Sequence, residues 1–284
     1  MRRWFGIAFT CVAVAGSMTA ARPVQDGWAT PIGQGRTAVD AARQVFPGGT
    51  LVDGQFVLAH DKQLRMPGTS KTRAMLPQET HLEAPTSRLV RAQGRRHVLL
   101  FWEGTRPEAS ENGGFGEEVA VLAVIPEGTA EVTDVAEVKQ DRLTFLGGEA
   151  LPPLGPDDAF TVVNTHLNAG EEFIVTSLFH VRGSRLRPIA ELFLFSEVGG
   201  CQDTFQTALS WKTKSLAGRD YPDVLAMVDL VHSPKGYNDG CDPPLAKERR
   251  ETFQDVYRWD AVQAQYVRAS GNIDRLAKWL DTHR

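Results

Sequence analysis

Three short apolar segments constrain the fold more than any other feature of this chain. They occupy residues 98–102 (Val-Leu-Leu-Phe-Trp), 160–163 (Phe-Thr-Val-Val) and 224–228 (Val-Leu-Ala-Met-Val). They recur about every 62 residues, the range in which repeat architectures show their period. Each is followed by two further segments separated by turn residues. The first pair is 119–125 and 132–138, around Pro126, Glu127 and Gly128. The second is 173–181 and 186–195, around Arg182, Gly183, Ser184 and Arg185. The third is 253–259 and 265–267, around Asp260 and Ala261. Apolar runs of this length bounded by turn chemistry predict antiparallel strands. The pattern therefore predicts a mainly β protein built of antiparallel meanders in an internal repeat. Three units are too few for an ordinary closed propeller, which leaves an open stack, a half-propeller or a sandwich.

The flanks read differently. Residues 22–36 carry Pro23, Gly27, Pro31, Gly33 and Gly35 and predict an irregular leading segment. Thr37 is placed to cap a short helix whose apolar positions are Val39, Ala42, Val45 and Phe46, ended by Pro47, Gly48 and Gly49. Residues 51–59 predict a strand or hairpin turning at Asp53-Gly54, and 62–88, with Pro67, Gly68, Pro77 and Pro85, a long loop. Near the other end, Asn272 caps a second short helix with Ile273, Leu276, Ala277 and Leu280 on one face. The predicted organisation is a signal peptide over 1–21, a segment with helix, strand and basic loop over 22–96, and a β-repeat domain over 97–284.

Residues 1–21 carry the signature of export: Arg2 and Arg3, an apolar run from Trp4 to Val14, and small residues ending at Ala20 and Ala21. The run is about half the roughly 20 residues that a spanning helix needs. A cleaved secretory signal is the expectation, placing the protein in the periplasm or outside the cell. Cleavage removes Cys11 and leaves Cys201 and Cys241, an even count in an oxidising compartment. A disulfide between them is expected. Closing a loop of about 40 residues, it would constrain the unfolded chain by a few kcal/mol in the entropic account.

Apolar residues make up 42 % of the chain and charged ones 23 %, with a formal net charge of −4. That balance fits a globular fold and argues against a nucleic-acid partner. No later stretch is long and apolar enough to predict a membrane span. Charge is segregated, however. Residues 62–96 hold Lys62, Arg65, Lys71, Arg73, Arg88, Arg91, Arg95 and Arg96 against Glu79 and Glu83 alone. Residues 103–158 hold thirteen acids against Arg106, Lys139 and Arg142. Such segregation either steers a charged partner, here an envelope protein or an anionic envelope component, or lets the two stretches pair internally.

Catalytic signatures are missing: no Gly-x-Ser-x-Gly, His-Glu-x-x-His, phosphate loop or dinucleotide fingerprint occurs. The densest polar cluster is Asn164, His166, Asn168, Glu171 and Glu172. Period-two alternation puts Asn164, His166 and Asn168 on one strand face, where they would bind a ligand or a metal, or where His166 with Glu171 or Glu172 would do acid–base work. The plainer reading is a solvated strand end. The loop from Tyr237 to Asp242 offers oxygen ligands but lacks the spacing of a calcium loop. His60, His81, His97, His180, His232 and His283 show no ligand spacing, so neither metal nor cofactor is expected. Trp211, Tyr221, Tyr237, Tyr257, Trp259 and Tyr266 read as cross-strand core pairs or, alternatively, a carbohydrate or peptide platform.

The run Tyr257-Arg258-Trp259-Asp260 followed by Gln265-Tyr266-Val267 resembles hairpins of uncharacterised exported bacterial β-repeat proteins. It is also similar to blades of FG-GAP propeller repeats. The resemblance spans roughly residues 97–270 and implies a β-repeat architecture without an activity. The calcium-binding aspartates of those blades have no counterpart here. The expectation is an exported envelope binding or interaction protein without catalysis. The alternatives are a hydrolase acting on envelope polymers and a purely structural secreted protein.

Overall fold

A computed structural model describes residues 27–67, 73–107, 118–139, 143–148, 151–168, 171–199, 204–233, 248–276 and 278. The predicted signal, Cys201, Cys241 and the loop from Tyr237 to Asp242 lie outside these residues. The protein is mainly β, with antiparallel sheets and short helical pieces, as the strand patterning predicts.

The chain opens with a 3-10 turn at Gly27–Ala29 and a small hairpin of β1 (Pro31–Gly33) and β2 (Arg36–Thr37). Of the segment expected to be irregular, the described residues 27–36 are structured: Trp28 is buried and its indole N–H donates to the Gly54 carbonyl at 2.7 Å. Helix α1 (Ala38–Val45) follows. Asp40 accepts from the Thr37 backbone N–H at 2.9 Å and its hydroxyl at 3.3 Å, tying the first turn. Ala38, Ala41, Ala42, Val45 and Phe46 are buried on the sheet side.

Next come β3 (Thr50–Val52), β4 (Gln55–Val57), β5 (Lys62–Arg65), β6 (Arg73–Leu76), β7 (His81–Leu82), β8 (Thr86–Ala92), β9 (Arg95–Thr105), β10 (Glu118–Pro126) and β11 (Asp134–Glu137). They form one sheet in the order β3-β4-β7-β9-β10-β11-β5-β6, with β8 also on β9. The β3–β4 turn at Asp53 and Gly54 has φ of 49° and 84°, the left-handed pair of a tight hairpin. The described residues of the stretch 62–88 do not form one long loop. They supply β5, β6, β7 and the start of β8, each anchored by a buried side chain such as Leu64, Leu76 or Leu82. Strands this short carry too few residues to display alternation.

The second sheet is a single antiparallel meander of eight strands. In chain order these are β12 (Leu143–Leu146), β13 (Ala159–Asn168), β14 (Glu171–Arg182), β15 (Arg185–Gly199), β16 (Thr204–Lys214), β17 (Asp223–Ser233), β18 (Arg249–Asp260) and β19 (Gln265–Gly271). The segments read from the sequence are all strands here, but the sheets do not divide at their period. The first triplet lies in the first sheet, joined to β5 by a parallel pairing. The second and third belong to one continuous meander, with β16 between them.

Three apolar layers hold this together. Leu100, Trp102, Val121, Ala123 and Ile125 face α1 and the leading turn. Their strand neighbours Leu99, Phe101, Leu122 and Val124 face the second sheet at Phe160, Val162, Phe179, Val181 and Leu186. β10 is thus buried on both faces, which is why it reads as an unbroken apolar run. Past β15 the meander packs its later strands back on its earlier ones, through Leu178, Leu192 and Leu194 against Val224, Val228 and Tyr266. Ile273 and Leu276 close this layer, and residues 274–276 are helical. Asn272 does not act as the expected cap: its side-chain oxygen accepts from the Gln254 N–H at 2.7 Å, fastening the segment to β18.

Candidate functional site

The five polar residues singled out in the sequence lie at the β13–β14 hairpin. The register sets Asn168 opposite Glu171, Leu167 opposite Glu172 and His166 opposite Phe173. The side chains of Asn168 and Glu171 are outside the described residues. Asn164 is fully buried and its carbonyl oxygen accepts from the Thr144 hydroxyl at 2.6 Å. That amide serves the seam between β12 and β13. His166 and Glu172 are half-buried. Phe173 stacks on Phe193 with ring centres 5.7 Å apart, and Phe193 is 66 % exposed.

A second polar group has no local signature in the sequence. Asp157 and His180 are both completely buried, with Asp157 Oδ2 and His180 Nδ1 3.4 Å apart. The Tyr221 hydroxyl donates to Asp157 Oδ2 at 2.9 Å and the Gln93 N–H to Oδ1 at 2.6 Å. Arg182 donates to the Tyr221 hydroxyl, and its guanidinium lies 4.5 Å from the Trp259 ring centre. Trp259 stacks on Tyr221 at 4.2 Å, and His180 meets Trp259 and Tyr266 edge-on at 5.9 Å. So Tyr221, Trp259 and Tyr266 pack in the core, the cross-strand alternative of the two that their sequence pattern allows. Burial opposes ionisation of Asp157, but donation from His180, Gln93 and Tyr221 outweighs it and holds the carboxyl below its usual range. Burial, then the bond to Asp157, pushes Tyr221 up to about 12.

A His–Asp–Tyr group has the parts for acid–base chemistry, yet no reactant reaches atoms with zero exposure. Its position states its work. It joins the β8–β9 turn, the loop before β13, strand β14 and the loop before β17. His180 is hard to read from the sequence because it sits in the apolar run Leu178-Phe179-His180-Val181. Among the described residues, no group of three or more His, Cys, Asp or Glu is placed to hold a metal.

The segregated charges meet one another in part. Arg65 grips Asp134 through two bonds, and its second nitrogen also donates to the Leu186 carbonyl at 3.0 Å. Asp134 accepts from the Leu186 N–H at 2.7 Å, so the pair crosses between the sheets. Arg91 pairs with Asp158 at 3.2 Å and Arg96 with Glu127 at 3.3 Å. Arg88 has a different setting. It donates to the Gly147 carbonyl and lines a cavity of about 200 Å³ with Thr86, Ser87, Phe101, Glu103, Phe145 and Leu146. Arg88 is opposite Leu99 in the register, four residues from Glu103. At about 3.4 Å per residue their backbone positions are roughly 13 Å apart. A cation and a carboxyl therefore mark the two ends of a trough whose floor is Phe101. Burial pushes the Glu103 carboxyl up, helped by Glu118 and Glu83.

The arrangement defines a mainly β protein of two large, mostly antiparallel sheets with a sealed polar junction and an open, mixed cavity at its flank. The chain matches no protein-family model, no curated protein and no solved structure. No helix among the described residues is long and apolar enough to cross a membrane.

Proposed function

We propose that this chain is an exported, non-catalytic binding protein of the envelope, and that it takes an anionic group of its partner at the Arg88 cavity. The observation that carries the reading is the setting of Arg88. Three arginines of the basic stretch are committed to internal carboxylates. Arg88 instead uses one of its five N–H donors on a carbonyl and borders a cavity with an aromatic floor. The basic, apolar and small-residue start of the sequence supports export. The burial of His180 and Asp157 supports a structural use of that acid–base group.

The test is retention on isolated envelope material, comparing the wild type with Arg88→Gln, while the supernatant is followed for released fragments. Saturable retention that drops at least tenfold in the variant, with no fragments accumulating, is the expected result. Retention independent of Arg88 refutes the site. Fragments released in proportion to time favour the hydrolase, and no retention at all favours a purely structural protein.

A further inference from the structure

The Arg88 cavity borders an edge strand whose backbone is directed outward. Among the described residues β12 has β13 as its one strand neighbour. The Gly147 N–H donates to the Thr161 carbonyl at 2.9 Å, continuing the register in which Phe145 faces Val163. Alternation along an antiparallel pair then turns the N–H and C=O of Thr144 and Leu146 away from β13. Leu143 and Phe145 are 61 % and 42 % exposed. Neither a charge nor a proline occurs in the strand to block pairing, although edge strands usually carry such a device.

The cavity's size limits its occupant. The cavity holds about 200 Å³. That is below the roughly 300–1,000 Å³ of sites for drug-sized ligands. It has room for one apolar side chain with a small polar group. Phe101, Phe145 and Leu146 offer the apolar contact, and Arg88 offers donors suited to a carboxylate. Thr86 and Ser87 add hydroxyls on the same wall. Arg91 and Arg96 of the β8–β9 hairpin are paired with Asp158 and Glu127, which leaves Arg88 as the cation that borders the cavity. Glu103 lies at the other end of the cavity, roughly 13 Å along the strands from Arg88, so the anion is placed at the Arg88 end.

Building on the Arg88 reading above, we infer that the ligand is an extended peptide with a free C-terminal carboxylate. It adds to β12 as a further strand, its backbone pairing with Thr144 and Leu146. Its carboxylate meets Arg88 and its last side chain enters between Phe101 and Phe145. Strand addition supplies affinity through the backbone and the cavity selects the terminus.

The experiment uses the intact protein and fluorescent hexapeptides that alternate threonine and valine and end in leucine, valine or phenylalanine. Each is made as the free acid, as the C-terminal amide, and with single backbone N-methyl groups. Anisotropy should show the amide binding about tenfold or more weakly, the loss expected for one bond to a charged partner. N-methylation should weaken binding at alternate positions only. Arg88→Gln should remove the preference for acid over amide while leaving the alternation. Equal binding of acid and amide, or an N-methyl profile without alternation, overturns the inference. So does an absence of binding by every peptide; if envelope retention still depends on Arg88 in that case, the broader reading stands and this one alone fails.

Discussion

Removing the carboxylate of Asp157 should damage this protein more than most single substitutions. The side chain is completely buried and receives the Gln93 N–H at 2.6 Å and the Tyr221 hydroxyl at 2.9 Å, with His180 Nδ1 3.4 Å away. Asp157→Ala leaves these groups without their acceptor in a dry junction. A buried donor without a partner costs about 1–3 kcal/mol, and this substitution leaves more than one of them. The expected loss is therefore about 3–5 kcal/mol, a large share of an ordinary domain's stability. Tyr221→Phe removes one bond to a carboxylate and should cost about 1.5–3 kcal/mol. Combined, the two should fall short of additivity by at least ~0.5 kcal/mol, because each removes the same bond. Urea unfolding reads all three as lower midpoints at unchanged slope. A loss under about 1 kcal/mol for Asp157→Ala, or strict additivity, would show that the cluster does not join the sheets as argued. The pH response follows from the same contacts. Asp157 is held below its usual range, so its contribution is full above the unfolded carboxylate value of about 4 and is lost as pH falls through the lower folded value. Asp157→Ala should flatten that acid limb.

Other perturbations reach separate parts of the fold. Burial lowers His97, with Arg95 acting in the same direction and a backbone bond and Asp157 opposing it, so the unfolded chain takes up a proton first as pH falls below about 6.5. Stability measured by urea midpoints should decline across that window in the wild type and decline less in His97→Gln. At Gly271 an added Cβ would overlap Asp255 Oδ1 and lie 2.8 Å from Asp255 Cα, so Gly271→Ala should cost about 1–3 kcal/mol in thermal unfolding. Arg65→Met leaves Asp134 held by the Leu186 N–H, and should cost about 2 kcal/mol. Arg65→Lys should rescue little of this, since lysine lacks the planar fork that grips both oxygens.

Much of the architecture is legible in the sequence because its strands are long or its turns distinct. β10 and β14 are apolar enough to read directly, and the β14–β15 turn at Gly183 and Ser184, each with φ of 55°, matches the turn chemistry of Arg-Gly-Ser-Arg. The β8–β9 hairpin is harder to see. Its turn is Gln93-Gly94, with φ of 50° and 75°, and glutamine gives none of the asparagine or aspartate signal for that conformation. β16 alternates faithfully but is weakly apolar, with Thr204 and Phe205 its buried residues. The polar junction is illegible for a stronger reason: Gln93, Asp157, His180 and Tyr221 are brought together by three strand connections and share no spacing. Conversely, Asn164 and His166 draw the eye by local density, yet Asn164 is used to join β12 to β13. Arg88 becomes informative only once Arg65, Arg91 and Arg96 are found paired with acids.

Amide NMR of the protein titrated with solubilised envelope fragments tests the central claim most directly. The account predicts that the largest shift changes fall on residues 86–88, 101–103 and 143–147, and that Arg88→Gln suppresses them. Changes centred on the β13–β14 hairpin around His166, with residues 86–88 and 143–147 unmoved, would contradict it.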